Sequence, residues 1–242
     1  MTAANAGFPD QELPDAALPS TKLPKKELPD AGIPDAGLSF VAVNGSARAN
    51  GTSAAALAVA REHLAENGVQ LEVVHLAERR IEACRCGGCN SRTTPCPVDD
   101  DVADIVRVMT GADGIVYTVP VYGYGASSLM QTFIERAGVG RLRFDRPLTN
   151  KVGGVVVVGR RYAHEAVHAQ MLHNLLLNRL IIPGSGFPAT VRAGGPDTVT
   201  RDTEGMSAML AMLDRMLALA EALRGRPIPV PRGVETRLGV LS

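Results

Sequence analysis

The sequence carries no excess of either charge: lysine and arginine together number 25, as do aspartate and glutamate. That balance removes the overall field that would attract nucleic acid or an anionic membrane, and no local basic stripe replaces it. No apolar run approaches the roughly 20 residues that cross a bilayer, and the amino terminus lacks a basic start followed by a long apolar segment. A membrane span and a secretory leader are therefore not expected, and a cytoplasmic location is. Cysteine is scarce and confined, with all four residues lying between Cys84 and Cys96. Such a cluster is a poor way to staple a large domain and a good way to surround a metal in a reducing compartment.

What is present falls into three parts. From Phe8 to Gly37 a pentad repeats, opening each time on an apolar residue and proline: Phe8-Pro9, Leu13-Pro14, Leu18-Pro19, Leu23-Pro24, Leu28-Pro29 and Ile33-Pro34. Proline every fifth residue removes donors and blocks helix, and one apolar side chain per pentad builds no core, so residues 1–37 are expected to form an extended arm. Residues 38–224 hold the folded domain. Residues 225–242, with Pro227, Pro229 and Pro231 near their start, read as an extended tail.

Within the domain, short β-branched runs alternate with helical patterns, which predicts a parallel sheet. Strands are expected at Leu38–Val43, Val69–His75, Ile115–Val119, Val152–Val158 and Leu180–Pro183, most of them apolar throughout, as strands buried on both faces must be. Helices are expected at Ser53–Asn67, Asp99–Met109, Leu129–Ala137, Ala163–Asn178 and Glu204–Leu223. The last presents Met209, Leu213, Met216, Leu217 and Ala220 along one face, a stripe suited to a core. Asp99 to Asp101 would open the second helix, where negative charge suits the helix dipole. The architecture implied is an α/β, flavodoxin-like three-layer sandwich with a five-stranded parallel sheet in the order 2-1-3-4-5. In such a fold ligands bind beyond the carboxyl ends of the strands at the switch point, here after the first and third strands.

The loop after the first strand, Asn44 to Ser53, is rich in small and hydroxylated residues and opens a helix. Backbone N–H groups and the positive helix end converge at such a place, which suits phosphate. The competing reading is an ordinary turn with Thr52 or Ser53 as N-cap. A nucleoside triphosphate site is not expected, because Gly45 and Gly51 lie in no Gly-x4-Gly-Lys-Ser/Thr frame and the lysine is missing. The loop after the third strand, Pro120 to Ser128, combines a proline, two glycines and the rings of Tyr122 and Tyr124. A flat ring system fits there. Its Gly123-x-Gly125-x-x-Ser128 matches the dinucleotide fingerprint only in part and follows the wrong strand.

Taken together, these residues resemble the flavodoxin-like NAD(P)H-dependent flavin and quinone reductases, including the iron–sulfur flavoproteins, over most of residues 38–223. The resemblance rests on Gly45, Ser46, Arg48, Gly51, Thr52 and Ser53 in the first loop and on Asp113, Gly114 and Pro120-Val121-Tyr122 around the third strand. Leu129 to Arg136 resembles the helix that follows, with Gln131 where lysine is usual and Glu135 where aspartate is; Asp202-x-Glu204-Gly205 resembles the lead into the last helix. It implies FMN, its phosphate held by Ser46, Arg48, Gly51, Thr52 and Ser53, and its ring bordered by Pro120, Val121, Tyr122, Gly123, Gly159 and Arg160. It also implies NADH or NADPH as electron donor, a quinone, flavin or other small molecule as acceptor, and a homodimer or homotetramer. No side-chain acid or base is required for hydride transfer itself, so no catalytic residue is named.

The cysteine motif Cys84-x-Cys86-x2-Cys89-x6-Cys96 occupies the position where the iron–sulfur flavoproteins carry a compact four-cysteine motif, although Cys84 and Cys86 are separated by one residue where those relatives have two. A [4Fe–4S] cluster, a zinc ion, and free thiols or a redox pair remain the three readings. The cluster reading makes the chain an electron-transfer protein. A third possibility is an interaction module recruited through its arms. His164 and His168, four apart on one helix face, have no evident third partner and are expected to be solvated or at an interface.

Overall fold

The computed structural model describes residues 37–84, 96–138, 142, 146–226 and 228–229. The pentad arm and most of the tail lie outside them. The first strand, β1 (Ser39–Asn44), leads into α1 (Thr52–Glu66), β2 (Gln70–His75), a single 3-10 turn, and α2 (Val102–Gly111). There follow β3 (Gly114–Tyr122), the short β4 (Gly125–Ala126), α3 (Ser128–Ala137), β5 (Val152–Gly159), α4 (His164–Leu177), β6 (Ala189–Arg192) and α5 (Thr203–Leu223). The parallel order is β2-β1-β3-β5-β6, with β4 folded back antiparallel on the tip of β3. Counting only the parallel strands, this is the expected 2-1-3-4-5 topology.

Side-chain alternation divides the core into two layers. Phe40, Ala42, Val116, Val156 and Val158 face α1 and α5, where they meet Leu57, Leu64, Met209, Leu213 and Met216. Their neighbours Val41, Val43, Ile115, Tyr117, Val119, Val155 and Val157 face α2, α3 and α4. The central strands β3 and β5 are buried nearly end to end, as their uninterrupted apolar sequences require. At the edge, β2 alternates between buried and accessible positions. The methionine stripe of α5 is core, with Met209 and Met216 fully buried.

The fifth parallel strand differs from expectation. Leu180–Pro183 contributes only a bridge between Ile181 and Val152, and the edge position is then taken by β6 beside Val156–Gly159. Between them lies Pro183-Gly-Ser-Gly-Phe-Pro188, in which two prolines remove ladder donors and Gly186 turns through φ 90°. The chain leaves the sheet there and rejoins it directly afterwards as β6. Beyond α5, the Ile228 carbonyl accepts a hydrogen bond from Asn150 Nδ2 at 3.1 Å, so part of the tail is tied to the domain.

One carboxylate fastens the last strand to the last helix. Asp202 accepts from the Gly205 N–H at the start of α5 and from the Arg192 N–H at the end of β6. A Cβ on Gly205 would fall 2.3 Å from the Thr190 carbonyl oxygen, a backbone atom with no freedom to withdraw. Gly205→Ala is therefore expected to destabilise the domain by about 1–3 kcal/mol through overpacking, read as a lowered urea midpoint with unchanged slope.

Candidate functional site

The first loop is built on a buried asparagine. Asn44 ends β1 and is fully enclosed. Its Oδ1 accepts from the Ser46 N–H at 3.1 Å, and its Nδ2 donates to His75 Nδ1 at 3.0 Å, so that nitrogen of His75 acts as the acceptor. Ser46 Oγ then donates to the Arg48 carbonyl at 3.0 Å and accepts from the Arg48 N–H at 3.1 Å, which curls the loop. Gly45 donates to the Thr118 carbonyl and accepts from Ser127 Oγ at 2.6 Å. The same hydroxyl accepts from the Met130 N–H and so caps α3. A Cβ on Gly45 would stand 2.7 Å from the Met130 Cβ, so glycine is what lets the first loop and α3 touch.

At the start of α1 the ordinary-turn reading fails. Thr52 and Ser53 lie inside the first helical turn and are buried, and the N-cap is Gly51, which offers no side-chain acceptor. The first-turn N–H groups are left without the oxygen that usually meets them. These open N–H groups lie at the positive helix end, where an oxyanion is favoured. A phosphate monoester is such a group.

The second loop is a two-residue hairpin, with Tyr122 paired to Gly125 and Val121 to Ala126. Gly123 and Tyr124 at its tip both have positive φ, 55° and 66°, as a type I′ turn demands. Only the first of the two glycines is thus used for its backbone freedom. Beside the hairpin, beyond the ends of β3 and β5, lies a hollow of about 480 Å³ lined by Val121, Gly123, Tyr124, Arg160, Arg161 and Tyr162. Of the ring-bordering residues expected, Val121, Gly123 and Arg160 line it. Pro120 is buried within β3, and Tyr122 is turned partly to solvent. Gly159 lies against His164, whose Nε2 a Cβ there would approach to 2.9 Å. His164 itself is completely buried, contrary to the solvated position expected of it, because α4 opens inward under Gly159. His168 on the next turn is half-buried, and burial lowers its pKa. The ring of Tyr124 belongs to the pair picked out in the sequence, whereas Tyr162 and the asparagine and serine supports of the first loop were not picked out by sequence reasoning. A buried polar residue at a strand end and a serine two residues after a hairpin glycine are the signals that could have found Asn44 and Ser127.

The cysteine loop is described only at its base, and Cys86 and Cys89 lie outside the described residues. Cys84 is exposed and Cys96 half-buried. The two strands of the base pair with each other: Arg80 N–H donates to Asp101 Oδ2, Asp101 N–H to the Arg80 carbonyl, and Glu82 N–H to Asp100 Oδ2. Arg136, buried near the end of α3, closes this neck. Its Nη1 donates to Asp100 Oδ2 and to the Glu82 carbonyl, both at 2.6 Å, and its Nη2 to Asp100 Oδ1 at 3.0 Å and Cys96 Sγ at 3.7 Å. Burial on its own would raise the Asp100 pKa, but the bonds from Arg136 and from the Glu82 and Val102 N–H groups outweigh it and hold the carboxyl below its ordinary range. Asp100 and Asp101 thus serve the loop, and α2 begins only at Val102, later than the aspartate run suggested. Among the described residues no group of three or more histidine, cysteine or acidic side chains is assembled for a metal. The donor chemistry at the neck nevertheless suits a thiolate-bound group, since a fixed guanidinium stands beside Cys96 Sγ.

Comparison with known proteins agrees with this arrangement. The family model for NADPH-dependent FMN reductase matches residues 38–193, from the first strand through β6. The chain belongs to the NADPH-dependent FMN reductase family. It is 33% identical over 162 residues to an iron-sulfur flavoprotein of Methanocaldococcus jannaschii, covering 65% of this chain and 81% of that protein. Against an iron-sulfur flavoprotein of Methanosarcina thermophila it is 24% identical over 189 residues, covering 74% and 98% of the two chains. Among solved structures, RosB with a bound 8-demethyl-8-formylriboflavin-5'-phosphate intermediate superposes with a TM-score of 0.68 at 18% identity, covering 84% of this chain and 86% of that one. A WrbA-like flavodoxin from Agrobacterium tumefaciens gives 0.51 at 12% identity, covering 77% and 99%. The fold is flavodoxin-like, and this family member is a flavoprotein oxidoreductase. Among the described residues, no helix is long and apolar enough to cross a membrane.

The neck of the cysteine loop yields a pH-dependent expectation for this reductase family member. A carboxyl whose folded pKa is depressed contributes stability that is present above its ordinary value and lost as pH falls through the folded value. Asp100→Asn leaves the buried Arg136 charge without its partner and is expected to cost about 3 kcal/mol at neutral pH. The gap between variant and native protein should begin to narrow as pH falls to about 4, where the carboxyl of the unfolded chain protonates, and should close only below the lower pKa of the folded carboxyl. Urea unfolding at a series of pH values measures both; a gap independent of pH would show that the ion pair is not what holds the neck.

Proposed function

We propose that the chain binds FMN and passes electrons from NADH or NADPH to a small acceptor such as a quinone or a flavin. The observation that carries this reading is the uncapped start of α1 after β1, on a sheet whose next strands, β3 and β5, end at an open hollow of about 480 Å³. Ser46, Arg48, Gly51, Thr52 and Ser53 would hold the phosphate, and Val121, Gly123 and Arg160 would border the ring. FMN supplies the redox chemistry when bound, carrying two electrons between donor and acceptor. The donor gives up a hydride and becomes NAD(P)+; the acceptor gains two electrons and two hydrogens, one of them a proton drawn from solvent. The protein's share is positional. Asn44 keeps the first loop curled, Ser127 fixes it to α3, and Gly159 lets the end of β5 pack against His164 and against Val121, which lines the hollow. A homodimer or homotetramer, a cytoplasmic location and an extended arm at residues 1–37 belong to the same proposal.

A second reading is favoured by one contact. The guanidinium of Arg136 against Cys96 Sγ is suited to compensate a ligated thiolate, and the relatives named above are iron-sulfur flavoproteins. On this reading Cys84, Cys86, Cys89 and Cys96 would hold a [4Fe–4S] cluster, which would supply single-electron chemistry. Protein purified without oxygen separates the two: flavin absorption bands alone support the reductase without a cluster, and added broad absorption with acid-labile sulfide supports the cluster.

The phosphate assignment has its own test. FMN and riboflavin differ only in that group. The double variant Ser46→Ala/Arg48→Ala is expected to weaken FMN binding by about 10–100-fold, the scale of one or two lost charge-assisted hydrogen bonds, and to leave riboflavin affinity unchanged. Fluorescence titration of the flavin-free chain measures both constants, and unaltered FMN affinity would refute the assignment.

A further inference from the structure

Four side chains at the outer rim of the hollow have no part in holding a phosphate. The rings of Tyr124 and Tyr162 stack with centroids 5.4 Å apart and 14° between their planes. Yet they are 70% and 56% exposed. Stacking in a core buries aromatic area, whereas a stack standing in water keeps a face open to a third ring. The backbone beneath it is strained at two points: Tyr124 has φ 66°, and Ala163, directly after Tyr162, has φ 59°. Non-glycine residues persist in that region when their surroundings hold them there, and ligand clamps are a common setting.

Arg160 and Arg161 follow β5 on the same rim and are exposed. Neither has an ion-pair partner among the described residues. Their charge is not needed at the phosphate loop, because the end of β5 is separated from the end of β1 by the intervening β3, a distance of about 10 Å at ordinary strand spacing. Two uncompensated guanidinium groups beside two open aromatic faces form a specific chemical pattern. Planar anions match it, with the ring on the tyrosines and the acidic group on the arginines.

We propose that this rim selects the electron acceptor, and that the acceptor is a planar aromatic molecule bearing an acidic substituent. The inference rests on the flavin-dependent reading above for the word acceptor, but the binding chemistry stands on the rim alone. Naphthalene-2-sulfonate and naphthalene-2-carboxamide, which share a ring and differ in charge, are the probes, titrated calorimetrically into the full-length FMN-bound protein. The sulfonate is expected to bind about tenfold more tightly, the effect of a charge-assisted pair. Arg160→Gln/Arg161→Gln should bring the two affinities within about threefold of each other. Tyr162→Leu, at an exposed position, should weaken both probes by a similar factor and keep the preference.

Equal binding of the two probes to the native protein, or a preference that survives the double arginine variant, overturns the proposal. Turnover adds a second arm. The ratio of kcat/KM for 1,4-naphthoquinone-2-sulfonate over 1,4-naphthoquinone should fall about tenfold in the arginine variant with NADH as donor. A ratio that holds, together with a rise in KM for NADPH relative to NADH, would assign the arginines to the nicotinamide phosphate instead and likewise overturn it. Failure of FMN to bind the native chain would sink the proposed function, and the probe titration, repeated on the chain as purified, would still read the rim.

Discussion

The site is organised around a deficit: the backbone N–H groups at the start of α1 have no side-chain acceptor of their own. Most helices answer that deficit with a serine, threonine or aspartate at the N-cap, and this one places glycine there and draws its two hydroxylated residues into the first turn. The loop that precedes it would be unstable if left to itself. It is held instead by bonds internal to the loop and by a buried amide at the end of β1, so that the open N–H groups keep their direction without a cap. A dianion would complete the arrangement, and the proposed assignment of the first loop to the phosphate of FMN, rather than to its ring, rests on that.

One helix then connects the two chemically distinct loops. The N-cap of α3, Ser127, bonds the carbonyl of Gly45 in the phosphate loop, and Arg136 near its other end closes the neck of the cysteine loop. At about 1.5 Å per residue these two anchors stand roughly 14 Å apart along the helix axis. The spacing is set by a rigid element and not by either loop. A change that lengthened or kinked α3 would therefore alter the relation between the first loop and the neck of the cysteine loop while leaving each loop's own sequence intact.

The layered architecture was legible because buried parallel strands must be apolar throughout, and the runs around Val41, Val116 and Val155 show this without ambiguity. The position of the first loop was legible for a related reason, since small and hydroxylated residues between such a run and a helical pattern mark where the strand ends and α1 begins. The fifth strand was misplaced because Leu180–Pro183 has the composition of a strand, and periodicity alone does not report that Pro183 and Pro188 bracket a departure from the sheet. His164 was misjudged for a different reason. Sequence reasoning paired it with His168 four residues on, whereas it shares the buried face of Val167 and Met171 and packs against Gly159 of β5, a contact between residues on separate elements. Asn44 and Ser127 were invisible as supports because their importance lies in which backbone atom each one meets across the fold.

The floor and the rim of the hollow differ in mechanical character, and the difference follows from what each must do. Below, the wall at Val121 is backed by Gly159, which leaves no room for a Cβ against His164 and Val121, so the packing there has one arrangement. That constancy suits a group whose reactivity depends on being held in a single plane, with no protein acid or base to correct a misplacement. Above, the stacked tyrosines rest on left-handed backbone at Tyr124 and Ala163 and face water. Residues in such conformations are the ones whose alternatives lie close in energy, and an incoming ring has contacts to offer them. A fixed floor with an adaptable, cationic rim separates two tasks that a single rigid pocket would have to reconcile: retaining one cofactor through every turnover, and admitting and releasing the partner of each.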